Sequence, residues 1–184
     1  MEKELKQTQN QLTKVVFFGP ESTGKSTLAF HLAKAYNTEW VPEFARTYLQ
    51  EKYDITQKVC APADIIPIAK GQIQLENEKA QKAKGYLFCD TNVLQTLTYA
   101  KVYYENYENP ILDECVDHLN YAHYFLTYID TPWVPDDLRD KPRERTKMFS
   151  IFEKALLERN ISYTILKGSL DKRLKSVQTI LKTL

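Results

Sequence analysis

Gly19-Pro20-Glu21-Ser22-Thr23-Gly24-Lys25-Ser26-Thr27 decides the fold, because it fits the pattern G-x-x-x-x-G-K-[ST]. That motif needs a strand before it and a helix after it. Both are legible: Val15-Val16-Phe17-Phe18 is a short apolar run, and Lys25 to about Tyr36 has helical spacing. In such a setting backbone N–H groups curl around a phosphate, and the positive end of the helix dipole adds to the attraction. Gly19, Glu21, Ser22, Thr23, Gly24 and Thr27 are therefore read as a phosphate cradle. Lys25 is placed to reach the β- and γ-phosphates, and Ser26 to offer its hydroxyl to Mg2+. The chain has only five glycines, and two stand where the motif demands them, which makes a chance match a poor explanation.

Outward from the loop, short apolar runs alternate with longer amphipathic stretches. Glu39–Val41, Tyr86–Cys89, Tyr124–Ile129 and Tyr163–Leu166 read as further strands. Helices are expected over Glu43–Lys52, Ala63–Lys84, Val93–Tyr104, Ile111–Asn120, Thr146–Arg159 and Leu170–Thr183. Pro67 must sit near the first turn of its helix or bend it, and Gly85 reads as the left-handed residue that stops it. The alternation implies an α/β, doubly wound, mostly parallel sheet of about five strands, covered on both faces. This domain is expected over residues 14–184, after a polar tail at 1–13 that forms at most a frayed turn. Such sheets bind ligands at the carboxyl ends of their strands, so the residues after Phe18, Val41, Cys89 and Ile129 carry the chemistry.

Composition narrows the classes. The 184 residues suit one domain, and 25 Lys+Arg against 24 Asp+Glu leave a net charge of +1. That balance argues against nucleic-acid and membrane-surface binders, which carry a basic excess, and leaves a small molecule as the expected partner. The polar first eleven residues lack a signal-like apolar stretch, and no run is long enough to span a bilayer. Cys60, Cys89 and Cys115 are odd in number and lack CxxC spacing, so a reducing cytoplasm fits better than a disulfide scaffold. His31, His118 and His123 form no metal-ligand pattern.

The remaining motifs bear on what the loop serves. D-x-x-G is absent, since no glycine has an aspartate three residues before it, and N-K-x-D is absent too, which excludes a GTPase switch. The strand at Tyr86–Cys89 ends in Asp90-Thr91 rather than the acidic pair of a motor ATPase. Asp90 suits a Mg2+ shell, directly or through water; its plainer role would be capping the next helix. Glu43 lies one turn before Arg46, so the two share a face and can pair while pointing into the cleft, where a carboxylate orients or deprotonates a hydroxyl. Three of the six arginines, Arg139, Arg143 and Arg145, follow Thr131-Pro132-Trp133-Val134-Pro135. An arginine-bearing segment there resembles a kinase lid closing over phosphates, although Asp136, Asp137, Asp140 and Glu144 could pair with it instead. Tyr99, Tyr103, Tyr104 and Tyr107 read first as helix packing and second as a wall for a substrate ring.

Together these motifs resemble the nicotinamide riboside kinase domain of NadR-type proteins. The resemblance runs from about Lys14 to the C-terminus: GPESTGKSTL, Glu43-Phe44-Ala45-Arg46, Gly71 to Gln74, Asp90-Thr91-Asn92 and Thr131 to Arg139. It implies a nucleoside-kinase-like fold and transfer of the ATP γ-phosphoryl to the 5′-hydroxyl of nicotinamide riboside, giving nicotinamide mononucleotide. By resemblance, Lys25 and Ser26 hold phosphates and Mg2+, Asp90 is a metal-shell or catalytic carboxylate, Glu43 and Arg46 face the acceptor, and Arg139 belongs to the lid. Trp40, Asn92 and Trp133 are further candidates on the acceptor side. Many relatives carry a second Asp where this chain has Asn92, and some place an aromatic where it has Pro42; Trp40, two residues earlier, shares that strand face. An aromatic or carboxylate contact would favour the cationic pyridinium ring. The adenylyltransferase and helix-turn-helix parts of full NadR-type proteins have no counterpart here, so a stand-alone kinase domain is expected. A kinase of another nucleoside or small metabolite, and an ATP-dependent binding module without catalysis, are the alternative readings.

Overall fold

A computed structural model of the chain describes residues 3–139 and 141–184. Its centre is one sheet of five strands: β1 (Thr13–Phe18), β2 (Trp40–Val41), β3 (Tyr86–Asp90), β4 (His123–Thr127) and β5 (Tyr163–Leu166). Their order is β2-β3-β1-β4-β5, and every pair is parallel. Parallel strands require crossovers, and seven helices supply them: α1 (Lys25–Tyr36), α2 (Phe44–Thr56), α3 (Ile65–Ala80), α4 (Val93–Tyr103), α5 (Pro110–Asp117), α6 (Arg145–Leu157) and α7 (Leu170–Leu181).

The pleat sorts β1 between two apolar layers. Val15 and Phe17 meet Phe88, Phe125, α1 and α7 on one face; Val16 and Phe18 meet Cys89, Tyr124, α3, α4, α5 and α6 on the other. This is why the strands read as unbroken apolar runs rather than alternating ones. β1 lies centrally, between β3 and β4, so the loop after Phe18 opens where the strand order reverses.

Several boundaries differ from the sequence reading: α2 runs on to Thr56 rather than Lys52, α5 stops at Asp117 rather than Asn120, and β4 is His123–Thr127 rather than Tyr124–Ile129. The long helix stops at Ala80 instead of reaching Lys84, because Thr38 Oγ1 accepts the Lys84 N–H at 2.7 Å and draws that residue out of the helix. Gly85 therefore does not stop α3; its left-handed φ of 69° turns the chain into β3, and its carbonyl accepts from Thr13 N at 2.8 Å. Pro67 lies in the first turn of α3, where its missing N–H costs nothing.

The expected frayed tail is also ordered over its described residues. Lys3–Leu5 forms a 3-10 turn, and Leu5 is buried against the core. Gln7 and Thr8 bond to Glu76 and Asn77 on α3 at 2.7 Å each. No helix among the described residues is long and apolar enough to cross a membrane.

Candidate active site

The loop between β1 and α1 is held from three sides. Gly19 has φ 133°, and a Cβ there would lie 3.0 Å from Thr127 Oγ1 and 3.1 Å from Thr127 O, so only glycine fits against the end of β4. Thr127 Oγ1 also meets Thr23 Oγ1 at 2.7 Å. Behind the loop, the buried Arg173 of α7 donates to Thr23 O at 2.7 Å and Gly168 O at 3.0 Å, and pairs with Asp130. From α4, Gln95 Oε1 accepts the Gly19 N–H at 3.2 Å. Ser22 takes a left-handed φ of 56°, a cost of about 1 kcal/mol or more for a residue with a Cβ. The following lid segment holds it there: Thr131 Oγ1 donates to Ser22 O at 2.7 Å, and Val134 N donates to Ser22 Oγ at 3.0 Å.

Lys25 folds back on this loop. Its ammonium donates to Gly19 O at 3.0 Å and Pro20 O at 2.7 Å, and it is nearly buried. One residue on, Ser26 Oγ donates to Asp90 Oδ2 at 2.5 Å. Asp90 ends β3 opposite Phe17 of β1, which sets it level with the loop. It is 1% exposed, and its Oδ1 is buried without a hydrogen-bond partner. Burial foremost, then the nearby Glu43 carboxylate, push the Asp90 carboxyl up to about 7, against the pull of Lys25, Ser26 and Arg46.

Glu43 caps the start of α2 through its backbone alone. Its turn is held by α3: Gln72 Oε1 accepts Phe44 N at 2.8 Å, and Gln72 Nε2 donates to Pro42 O at 3.4 Å. The Phe44 ring packs on Gly71, where a Cβ would lie 2.1 Å from a ring carbon. The expected Glu43–Arg46 pair is absent among the described residues. Arg46 instead pairs across the cleft with Asp136 at 2.8 Å, and Arg139 shares that carboxylate at 3.0 Å. The long-range partner wins because Asp136 reaches α2 from the lid, where it also receives Leu138 N at 3.0 Å.

These elements enclose a cavity of about 810 Å³, lined by Glu21 through Thr27, Glu43, Arg46 and Arg139 among others. Asp90 lies beneath its floor, behind Ser26. The remaining candidates stand elsewhere. Trp40 packs edge-on against Phe30, 6.3 Å between centroids, with the α1 layer and away from the cavity lining. Asn92 is buried: its side chain accepts Gln95 N as the cap of α4 and donates to Tyr124 OH at 2.8 Å. Trp133 lies under the Arg145 guanidinium at 5.8 Å, while Arg145 donates to Thr131 O at 2.7 Å and Ser22 O at 3.1 Å; both brace the lid's root. Arg143 is exposed, and Asp140 lies outside the described residues. Tyr99, Tyr103 and Tyr104 line the cavity; Tyr107 does not.

Sequence reasoning passed over Gln72, Gln95, Thr127 and Arg173. Each acts across 28 to 150 positions of sequence separation, which leaves no local pattern. The only local signal was an arginine on the buried face of α7.

The sequence matches the AAA domain family over residues 14–173. It is 30% identical over 155 residues to the trifunctional NAD biosynthesis/regulator protein NadR of Salmonella typhimurium, covering 83% of this chain and 38% of that protein. The Escherichia coli protein of the same name is 30% identical over 151 residues, covering 81% and 37%. The chain thus spans under two fifths of the curated relatives that it matches. Among solved structures, a NadR protein in complex with NR superposes with a TM-score of 0.81 at 22% identity, covering 94% of this chain and 51% of that one. Deoxyadenosine kinase from M. mycoides superposes at 0.63 and 12% identity, over 92% and 98%. The solved structures share the fold seen here, and the match over nearly the whole chain makes it a P-loop member of the AAA domain family.

Proposed function

We propose that the chain is a nucleoside kinase that transfers the ATP γ-phosphoryl group to the 5′-hydroxyl of nicotinamide riboside, giving nicotinamide mononucleotide. One observation carries the reading: the phosphate loop and the Glu43 turn face each other across one cavity of about 810 Å³. That volume lies within the range of sites that enclose whole ligands. The relatives named for NAD biosynthesis, and NadR structures solved with NR and with NAD and AMP-PNP, support this acceptor and donor.

The chain's own groups divide the work. The loop amides and the N-terminus of α1 bind the donor phosphates. Lys25 exchanges the carbonyls of Gly19 and Pro20 for β- and γ-oxygens, a trade that brings a charge-assisted partner in place of neutral ones. Glu43 accepts the acceptor hydroxyl's hydrogen bond and orients it, and its negative charge suits a cationic pyridinium. Arg139 and Arg46, already gathered on Asp136, stand at the rim where charge on the transferring group is screened. Mg2+ fits the floor of the site: Ser26 Oγ and the unpartnered Asp90 Oδ1 are hard oxygen donors beside the loop. Bound there, the ion would neutralise phosphate charge. Three free thiols among the described residues suit a reducing cytoplasm.

A product assay tests the reading. The protein is incubated with Mg-ATP and equal nicotinamide riboside, uridine, cytidine, adenosine and thymidine, with Lys25→Ala as control. A dominant, Lys25-dependent nicotinamide mononucleotide peak is expected in the mass spectrum. A different monophosphate would keep the mechanism and reject the acceptor, and ATP binding without any product would leave a binding module.

A further inference from the structure

The side-chain amide of Gln95 is buried at 2% exposure, lines the cavity and is half used. Its orientation is determined chemically. Gly19 N–H is a donor, so the oxygen Oε1 must face it, and Nε2 points the other way. Nε2 is buried and has no hydrogen-bond partner. Leaving such a donor unsatisfied costs about 1–3 kcal/mol, a cost usually tolerated where a ligand removes it. Asn92 fixes the backbone at this point by accepting Gln95 N at 3.3 Å. Thr96, Tyr99 and Tyr103 of α4 also line the cavity, together with Glu43 at the cap of α2 and Arg46 in its first turn.

We propose that Gln95 is a specificity-determining contact: its Nε2 donates a hydrogen bond to a sugar hydroxyl oxygen of the acceptor nucleoside. The inference deepens the kinase reading and rests on it. Charge decides the partner. The donor phosphates have Lys25 and the loop amides, whereas a neutral amide between α2 and α4 matches a neutral hydroxyl. The arrangement would also select, because a site built to bond a hydroxyl leaves its own group unpaired when the hydroxyl is missing. Since Oε1 of the same amide holds the first N–H of the phosphate loop, the contact joins the sugar to the loop through one side chain.

A double-mutant cycle between protein and substrate tests this. Wild type and Gln95→Met are compared on the nucleoside that wild type phosphorylates and on its 2′-deoxy and 3′-deoxy forms. ATP affinity is measured separately without acceptor. In wild type, one deoxy form should lose roughly tenfold or more in kcat/KM, chiefly through KM. Gln95→Met should lose the discrimination itself: its ratio of kcat/KM on the full nucleoside to that on the same deoxy form should fall to about one, whatever the lost Gly19 contact costs in ATP affinity on both. Losses that multiply for both deoxy forms would overturn the proposal. So would a variant that keeps the wild-type hydroxyl discrimination while ATP affinity falls, which would make Gln95 a latch on Gly19 only. Should Gln95→Met fail to fold, the wild-type series alone decides, since indifference to both hydroxyls overturns the contact. Failure of the nicotinamide riboside reading shows earlier, in which nucleoside wild type phosphorylates.

Discussion

The two ends of the sheet treat buried polar groups in opposite ways. At the amino end, Glu76 is 1% exposed and fully partnered: Lys14 Nζ at 3.1 Å and Gln7 Nε2 at 2.7 Å share Oε1, and Tyr121 OH reaches Oε2 at 2.6 Å. At the carboxyl end, Asp90 is as deeply buried yet keeps one oxygen unpartnered, and Gln95 beside it keeps its nitrogen so. A satisfied buried network holds strands and tail together; an unsatisfied one keeps hydrogen-bonding capacity unspent. The difference separates architecture from chemistry more sharply than burial or charge alone.

The contrast can be broken by substitution. Glu76→Ala should show the largest effect, a loss of about 3–5 kcal/mol in denaturant unfolding, because it strands the buried Lys14 ammonium. Activity per folded molecule should stay near wild type; a selective loss of activity would erase the distinction between the two ends.

Asp90→Asn should do the reverse, lowering kcat on the order of a hundredfold in a steady-state assay. Without metal or nucleotide its melting temperature should not fall. The folded carboxyl titrates at about 7 against an ordinary 3.8, so the folded state holds its proton longer than the unfolded one. Wild-type stability therefore drops as pH rises through that window. The Asn variant should gain most at pH 8, and the gain should fade as pH approaches 4. A variant that melts lower at pH 8 would place Asp90 with Glu76 as a structural group.

Gly71→Ala should be the mildest, at about 1–3 kcal/mol, since its Cβ meets the Phe44 ring. Because Phe44 follows Glu43, the acceptor KM should rise more than the ATP KM in the same kinetic series. Equal changes in both would mean that the turn serves stability alone.

How much was legible follows from distance along the chain. The phosphate loop, β1 and α1 could be read directly, because strand, loop and helix are contiguous and each has its own pattern. β5 was read at its observed limits, Tyr163–Leu166, for the same reason. The acceptor side was harder. Of the glutamines in the Gly71-to-Gln74 element of the resemblance, Gln74 bonds Glu78 on the surface, whereas Gln72 holds the Glu43 turn, which no local pattern distinguishes. Helical spacing paired Arg46 with Glu43, but the lid brought Asp136 from 90 residues away. Local periodicity says which face a residue occupies, and only packing says what meets that face.

The pairing of Phe17 with Asp90 has an evolutionary reading as well. Along β3, Cys89 faces the layer of α3 to α6, while Phe88 and Asp90 face the layer of α1, which carries Ser26. Adding or deleting one residue within this strand would swing Asp90 to the opposite face. β3 can therefore change by replacement but not in length, its residue count being the ruler that measures the distance to the loop.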